Sequence, residues 1–211
     1  MTNTWNDTYK QMWEDRYEEI EYAYGKAPNE FFATQLQNLK PGSILMPADG
    51  EGRNGVFAAK SGWKVSSFDL SNAGKTKALE LAAAQQVELD YKVGDLEVLE
   101  YEPESFDAIG LIYAHFAADK KSIIHQKLQE YLKPGGYIIF EAFSKNHIAM
   151  VSQNPKVGGP KDVNLLFSLQ ELARDFKGYE FLVLEEAIID LDEGKYHIGK
   201  GSVVRLAARK P

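Results

Sequence analysis

Cysteine is absent from this 211-residue chain. That excludes disulfides, thiolate metal sites and a cysteine nucleophile, and it gives no sign of secretion. Positive charge is in deficit: 24 Lys and Arg against 31 Asp and Glu leave a net charge of −7. General affinity for nucleic acid needs clustered cations to neutralise phosphate, so no nucleic-acid partner is expected. Long apolar runs are also missing. No stretch reaches the roughly 18 apolar residues of a membrane span, so no membrane partner is expected. The start, MTNTWNDTYKQMWEDRYEEIEY, is acidic and has no apolar signal core. The expectation is therefore no secretory leader and a cytoplasmic location. Histidines number four, and no two have metal-ligand spacing, so no metal is expected. There is no internal repeat and no low-complexity tract. A content of 44% hydrophobic and 26% charged residues is ordinary for a globular chain. The length suits one domain with a full-sized core.

The apolar pattern comes in two periods. Trp5, Tyr9, Met12, Trp13, Ile20 and Tyr24 fall at helical steps with Arg16 and Tyr17 beside them, which predicts an amphipathic helix over 5–24. Gly25 and Pro28 end it. Asn29 is placed to cap a second helix carrying Phe32, Leu36 and Leu39. After the KPGS turn, strands are expected at 43–48, 63–69, 88–93, 106–113 and 136–143, with helices at 53–60, 72–86 and 119–132. This alternation implies an α/β fold: a parallel sheet with helices on both faces. Residues 144–164 are rich in Gly, Pro and Asn and read as a long loop. A helix near 168–177 follows. Two strand-like runs then close the sequence around DEGKYHIGKG, which reads as an antiparallel hairpin. A single domain over 1–211 is expected, with a helical lid or cap at 1–40 and a core at 41–211.

The first strand-to-helix turn carries Gly50, Gly52 and Gly55 in a G-x-G-x-x-G pattern, and Asp69 follows nineteen residues after Gly50. Glycines there let backbone approach a ligand closely, and an acid ending the second strand can hold both hydroxyls of a ribose. Both NAD and S-adenosylmethionine satisfy that description. The turn also carries Asp49 and Glu51. Acids are unfavourable beside a pyrophosphate and favourable beside a cationic amino acid or a sulfonium. The closing hairpin is a second argument against NAD, whose binding domain would continue with a parallel strand.

The set GEGRN, FD at 68–69, GDL at 94–96, FDAI at 106–109 and LKPGG at 132–136 resembles the class I S-adenosylmethionine-dependent methyltransferases. The resemblance covers most of residues 40–143. MWEDRYEEIEYAYGKAPNEFF, PADGEGRN and YHIGKGSVVRLAARK look like the small bacterial members related to the tellurite-resistance and thiopurine groups. It implies a Rossmann-like, doubly wound, seven-stranded, mostly parallel sheet with an antiparallel C-terminal strand. It also implies S-adenosylmethionine as cofactor, S-adenosylhomocysteine as product, and a small-molecule methyl acceptor: a thiol, a metalloid oxyanion or a small metabolite. The cofactor residues it points to are Asp49, Gly50, Glu51, Gly52 and Asn54 in the loop, and Asp69 with Leu70 for the ribose. Gly94, Asp95 and Leu96 are those for the adenine. Two departures stand out. The usual acid of the first motif is Met46 here, and its first glycine is Ala48. In the tellurite-resistance relatives a His-Arg pair in the C-terminal strand region is assigned to catalysis. His197 matches the histidine, but Ile198 stands where the arginine would be, so tellurite chemistry is not carried over.

With Met46 unable to anchor the methionine end, Arg16 is the candidate for its carboxylate and Asp49 for its ammonium. Trp13, Tyr17 and Tyr24 then form an aromatic lid over the sulfonium. Tyr113, His115 and Phe116 follow the fourth strand, where open α/β sheets place ligands. His115 and His197 are the candidate bases if the nucleophile is neutral. His125 is expected on the surface and His147 in the loop. The competing readings are a non-catalytic binder of S-adenosylmethionine or S-adenosylhomocysteine, and an NAD-dependent oxidoreductase. The oligomeric expectation is a monomer or a homodimer.

Overall fold

A computed structural model describes residues 5–211, with side chains from Asp7 onward. The side chain of Trp5, assigned above to the aromatic stripe, lies outside the described residues. The elements are α1 (Trp5–Tyr17), α2 (Glu30–Gln37), β1 (Ser43–Pro47), α3 (Arg53–Lys60), β2 (Lys64–Asp69), α4 (Asn72–Ala84), β3 (Asp90–Val93) and β4 (Phe106–Ile112). They continue with α5 (Lys121–Tyr131), β5 (Leu132–Phe143), α6 (His147–Gln153), α7 (Leu169–Asp175), β6 (Glu180–Glu193) and β7 (His197–Arg209).

Seven strands form one sheet in the order β3-β2-β1-β4-β5-β7-β6. β1 to β5 run parallel. β7 is antiparallel to both β5 and β6. This is the expected Rossmann-like fold with its closing hairpin. The winding direction reverses between β1 and β4, and such a reversal opens a crevice at the strands' carboxyl ends. Alternation along β1 sends Ile44 and Met46 to one face and Leu45 to the other. Phe32 and Leu36 of α2 and Ala58 of α3 cover the first face. Leu128 of α5 and Leu172 of α7 cover the second. Met46, which replaces the usual motif acid, is a fully buried core residue.

Capping chemistry starts the helices where the sequence places them. Asn29 accepts from Phe32 N, Ser71 from Gly74 N, and Ser168 forms a capping box with Glu171. Four expectations are corrected. The first helix ends at Tyr17 rather than 24, and Ile20 is 98% exposed instead of sharing the stripe. Lys77 Nζ donates to the carbonyls of Glu19 (2.6 Å) and Glu21 (2.7 Å), which satisfies backbone groups that a longer helix would use itself. The expected loop at 144–164 contains α6 and two short 3-10 turns. His147 is therefore a buried helix residue stacked 3.9 Å from Phe143, its Nε2 on Gly158 O. His125 is buried rather than on the surface, with Nδ1 2.9 Å from Asp175 Oδ2 and its ring stacked on Phe167 and Phe176. Among the described residues no helix is long and apolar enough to cross a membrane.

Candidate active site

A cavity of about 580 Å³ lies where β1, β2, β3 and β4 end, with α1 above it. Its floor is the loop after β1. Ala48 (φ 52°), Gly50 (φ 54°) and Gly52 (φ 80°) all have left-handed backbone. Ala48 thus adopts the conformation its glycine counterpart takes freely, at a cost of roughly 1–2 kcal/mol. Gly50 is fixed at both ends: its N–H donates to Asp69 Oδ2 at 3.0 Å, and its carbonyl accepts from Tyr91 Oη at 2.6 Å. Asp69 also accepts from Ser71 N at 3.0 Å. Burial pushes the Asp69 carboxyl up to about 6 against these hydrogen bonds. Asp49 accepts from Ser67 Oγ (2.8 Å) and Gly55 N (3.3 Å), and burial pushes its carboxyl up to about 7. Two buried carboxyls held this way favour a cation between them.

α1 is packed against this floor. Tyr17 sits so close over Gly50 that a Cβ there would lie 2.5 Å from the tyrosine hydroxyl. Trp13 stacks on Tyr17 with centroids 5.4 Å apart. Arg16 donates to Tyr24 Oη at 2.8 Å and lies over the rings of Trp13 (4.8 Å) and Tyr196 (4.7 Å). The Glu14 carboxylate accepts from Asn72 N (2.8 Å) and Ala73 N (3.2 Å), the positive end of α4. Glu51 holds Lys77 at 2.7 Å and the Ala23 N–H at 2.8 Å.

On the far wall His197 lies among the rings of Tyr24 (4.6 Å), Tyr113 (4.8 Å) and Phe143 (5.1 Å). Its Nδ1 is 2.9 Å from Glu193 Oε2, and Arg53 pairs with the same carboxylate oxygen at 3.0 Å. Burial pushes the Glu193 carboxyl up, but His197 and Arg53 outweigh this and bring it down to about 2. Burial lowers the His197 imidazole despite that partner. His115 faces the same cavity, and desolvation brings its imidazole down to about 3. Tyr113, with left-handed backbone (φ 50°), donates its hydroxyl to Glu141 at 3.0 Å. Asn29 links Glu141 (2.7 Å) to Glu193 (3.2 Å), so both walls share one buried network.

The cavity brings together Trp13, Arg16, Tyr17, Tyr24, Asp49, Gly50, Glu51, Asn54, Asp69, Leu70, Gly94, Asp95, Leu96, Tyr113, His115 and His197. Gly52 stands apart from the lining: it packs against α4, where a Cβ would lie 2.6 Å from Ala78 Cβ. Glu51 reaches the lining with both carboxylate oxygens engaged by protein donors. Glu193 and Arg53 were not singled out by sequence. A signal was there: Glu193 and His197 flank a three-residue hairpin loop and pair across it.

Residues 44–136, from β1 into β5, match the family described as a methyltransferase domain. This segment, less than half of the chain, is similar to a methyltransferase domain. Hemagglutinin 1 of Eikenella corrodens is a curated relative, 24% identical over 155 residues, which are 72% of this chain and 49% of that protein. The chain thus spans about half the length of that relative. A structure solved for the conversion of a disulfide bond into a thioacetal group during echinomycin biosynthesis superposes with a TM-score of 0.76. It is 18% identical, and the match covers 98% of this chain and 92% of that one. TehB from Haemophilus influenzae superposes with a TM-score of 0.69 at 19% identity, over 85% of this chain and 61% of that one. At these identities the structural likeness speaks to the fold. The matched family segment contains Ala48–Asn54, Asp69, Asp95 and Tyr113, and leaves out the lid and His197.

Proposed function

We propose that this chain transfers a methyl group from S-adenosylmethionine to a small-molecule acceptor. The observation that carries the reading is the cavity floor. Asp69 ends β2 with its carboxyl held by two backbone N–H groups. Six carboxylates line the cavity (Asp49, Glu51, Asp69, Asp95, Glu97, Asp162) against four cations (Arg16, Arg53, Lys120, Lys161). Such a lining suits a cofactor with sulfonium and ammonium charges and repels a pyrophosphate, which disfavours NAD. Asp69 would hold the ribose hydroxyls, and Asp95 with Leu96 the adenine. Asp49 would face the ammonium and Arg16 the carboxylate, the guanidinium giving geometry as well as charge.

When bound, the sulfonium supplies an already activated methyl carbon. The protein's part is position and exclusion of water. α1 and Tyr24 close the chamber, and the loop after β1 sets the depth at which a ligand sits. A proton leaving a neutral acceptor would go to His197 Nε2, since Nδ1 faces Glu193. Calorimetry with S-adenosylmethionine, S-adenosylhomocysteine and NAD tests the cofactor. Binding of NAD and not of the other two would overturn the reading. Turnover on thiols, metalloid oxyanions and small hydroxylated metabolites tests the reaction, and a chain that binds but never methylates is the non-catalytic binder.

A further inference from the structure

We propose that the acceptor half of the cavity takes an uncharged aromatic molecule bearing an O–H or S–H, held by His197 Nε2. We further propose that Glu193 is the positioning residue that fixes the tautomer of this imidazole. The proposal rests on the methyl-transfer reading above and names the substrate class of that same site.

The tautomer follows from geometry. Glu193 Oε2 sits 2.9 Å from His197 Nδ1 and also receives Arg53 at 3.0 Å. A carboxylate in that setting is an acceptor, so Nδ1 carries the proton and donates. Nε2 is left with its lone pair and takes no partner among the described residues. A lone pair on a cavity wall calls for a ligand that donates.

Charge then selects among donors. Of the four cations lining the cavity, Arg53 is paired with Glu193 and Lys120 with Glu97. Arg16 donates to the Tyr24 hydroxyl and lies over the Trp13 and Tyr196 rings. Lys161 is exposed at the rim next to Asp162, where water and salt screen it. An oxyanion entering beside His197 would lie near the Glu193 carboxylate, and Arg16, which has no ion pair, already donates to Tyr24. The other lining imidazole, His115, has an Nδ1 that is buried without a hydrogen-bond partner. An uncharged O–H or S–H offers the proton that His197 Nε2 lacks. His197 itself sits among the rings of Tyr24, Tyr113 and Phe143, and the cavity lining also includes the apolar Val151 and Leu165. A flat, apolar ligand with one polar edge matches this surface.

The test uses the full chain loaded with S-adenosylhomocysteine, titrated with catechol, benzyl mercaptan and selenite. Catechol or benzyl mercaptan is expected to bind about tenfold or more tightly than selenite, the worth of one hydrogen bond to a well-placed acceptor. Tighter binding of selenite, or no binding of either neutral probe, overturns the proposal. Failure of S-adenosylhomocysteine itself to bind overturns the methyl-transfer reading instead. The positioning role is read by nitrogen-15 NMR of the ligand-free protein. His197 is expected neutral with the proton on Nδ1, and a proton on Nε2 overturns the role without any variant. Glu193→Ala is expected to give mixed tautomers and about tenfold weaker catechol binding, with S-adenosylhomocysteine affinity kept. Glu193→Asp should restore part of the loss. An unchanged tautomer in Glu193→Ala overturns the role.

Discussion

Replacing Gly50 with alanine should unseat the lid. Two effects add. The backbone at Gly50 has φ 54°, where a Cβ costs roughly 1–2 kcal/mol. The new carbon would also lie 2.5 Å from Tyr17 Oη and 2.9 Å from Tyr17 Cζ, so α1 must move outward. Strain alone lowers the melting temperature by about 2–8 °C for a chain of this size. Displacement of Tyr17 and its stacked Trp13 should weaken S-adenosylhomocysteine about tenfold, equivalent to ~1.4 kcal/mol. The decisive assay is a double-mutant cycle by calorimetry. Tyr17→Phe removes the oxygen at 2.5 Å but leaves the ring carbon at 2.9 Å. It should recover part of the affinity lost in Gly50→Ala, with a coupling of at least ~0.5 kcal/mol. Strict additivity, or wild-type affinity in Gly50→Ala, refutes the idea that this glycine is where lid and floor meet.

Asp69→Ala should weaken S-adenosylhomocysteine about tenfold or more and Asp69→Asn less, because charge-assisted hydrogen bonds contribute ~1.5–3 kcal/mol each; equal affinities in calorimetry would remove Asp69 from the site. Asp49 and Asp69 are raised from 3.8 to about 7 and about 6. Their contribution to stability is therefore complete below the unfolded value and lost as pH rises through the folded ones. The ligand-free melting temperature should fall between about pH 4 and pH 7, and Asp49→Asn should flatten the slope. A melting temperature that rises over that window in both proteins contradicts the assignment. Arg16→Ala should weaken cofactor binding, and amide exchange in α1 should slow when S-adenosylhomocysteine is added. Slow exchange without ligand, together with normal affinity in the variant, would make α1 core packing only.

The central parallel strand is legible because a strand buried on both faces is nearly all apolar, as FDAIGLI is apart from Asp107 at its entrance. The glycine loop was legible because left-handed backbone leaves few residue choices. Even the Ala48 exception sits at φ 52°. What sequence did not reveal depends on contacts far along the chain. The helical spacing of Ile20 and Tyr24 continues that of Trp13, but Lys77 collects the carbonyls that would have extended the helix. His125 was assigned to the surface because its buried partner, Asp175, is fifty residues away. Glu193 needed only the hairpin register, which a turn rule supplies once the turn is located.

The lid's other attachment is the turn of the last hairpin. Lys195 N donates to Ala23 O at 3.0 Å, Tyr196 Oη to Glu19 at 2.6 Å, and Arg16 rests on the Tyr196 ring. Residues some 170 positions apart thus close the chamber together. The glycine loop and α1 precede the β6–β7 turn in the sequence, so this second attachment of α1 forms only once that turn has been made. Contacts of such separation are slow to close, because loop-closure entropy is lost before they repay it. A nascent chain stopped before residue 193 would own the floor of the site and lack both its roof latch and His197. Cofactor retention should therefore appear as a final, abrupt event in refolding, after the parallel sheet has consolidated.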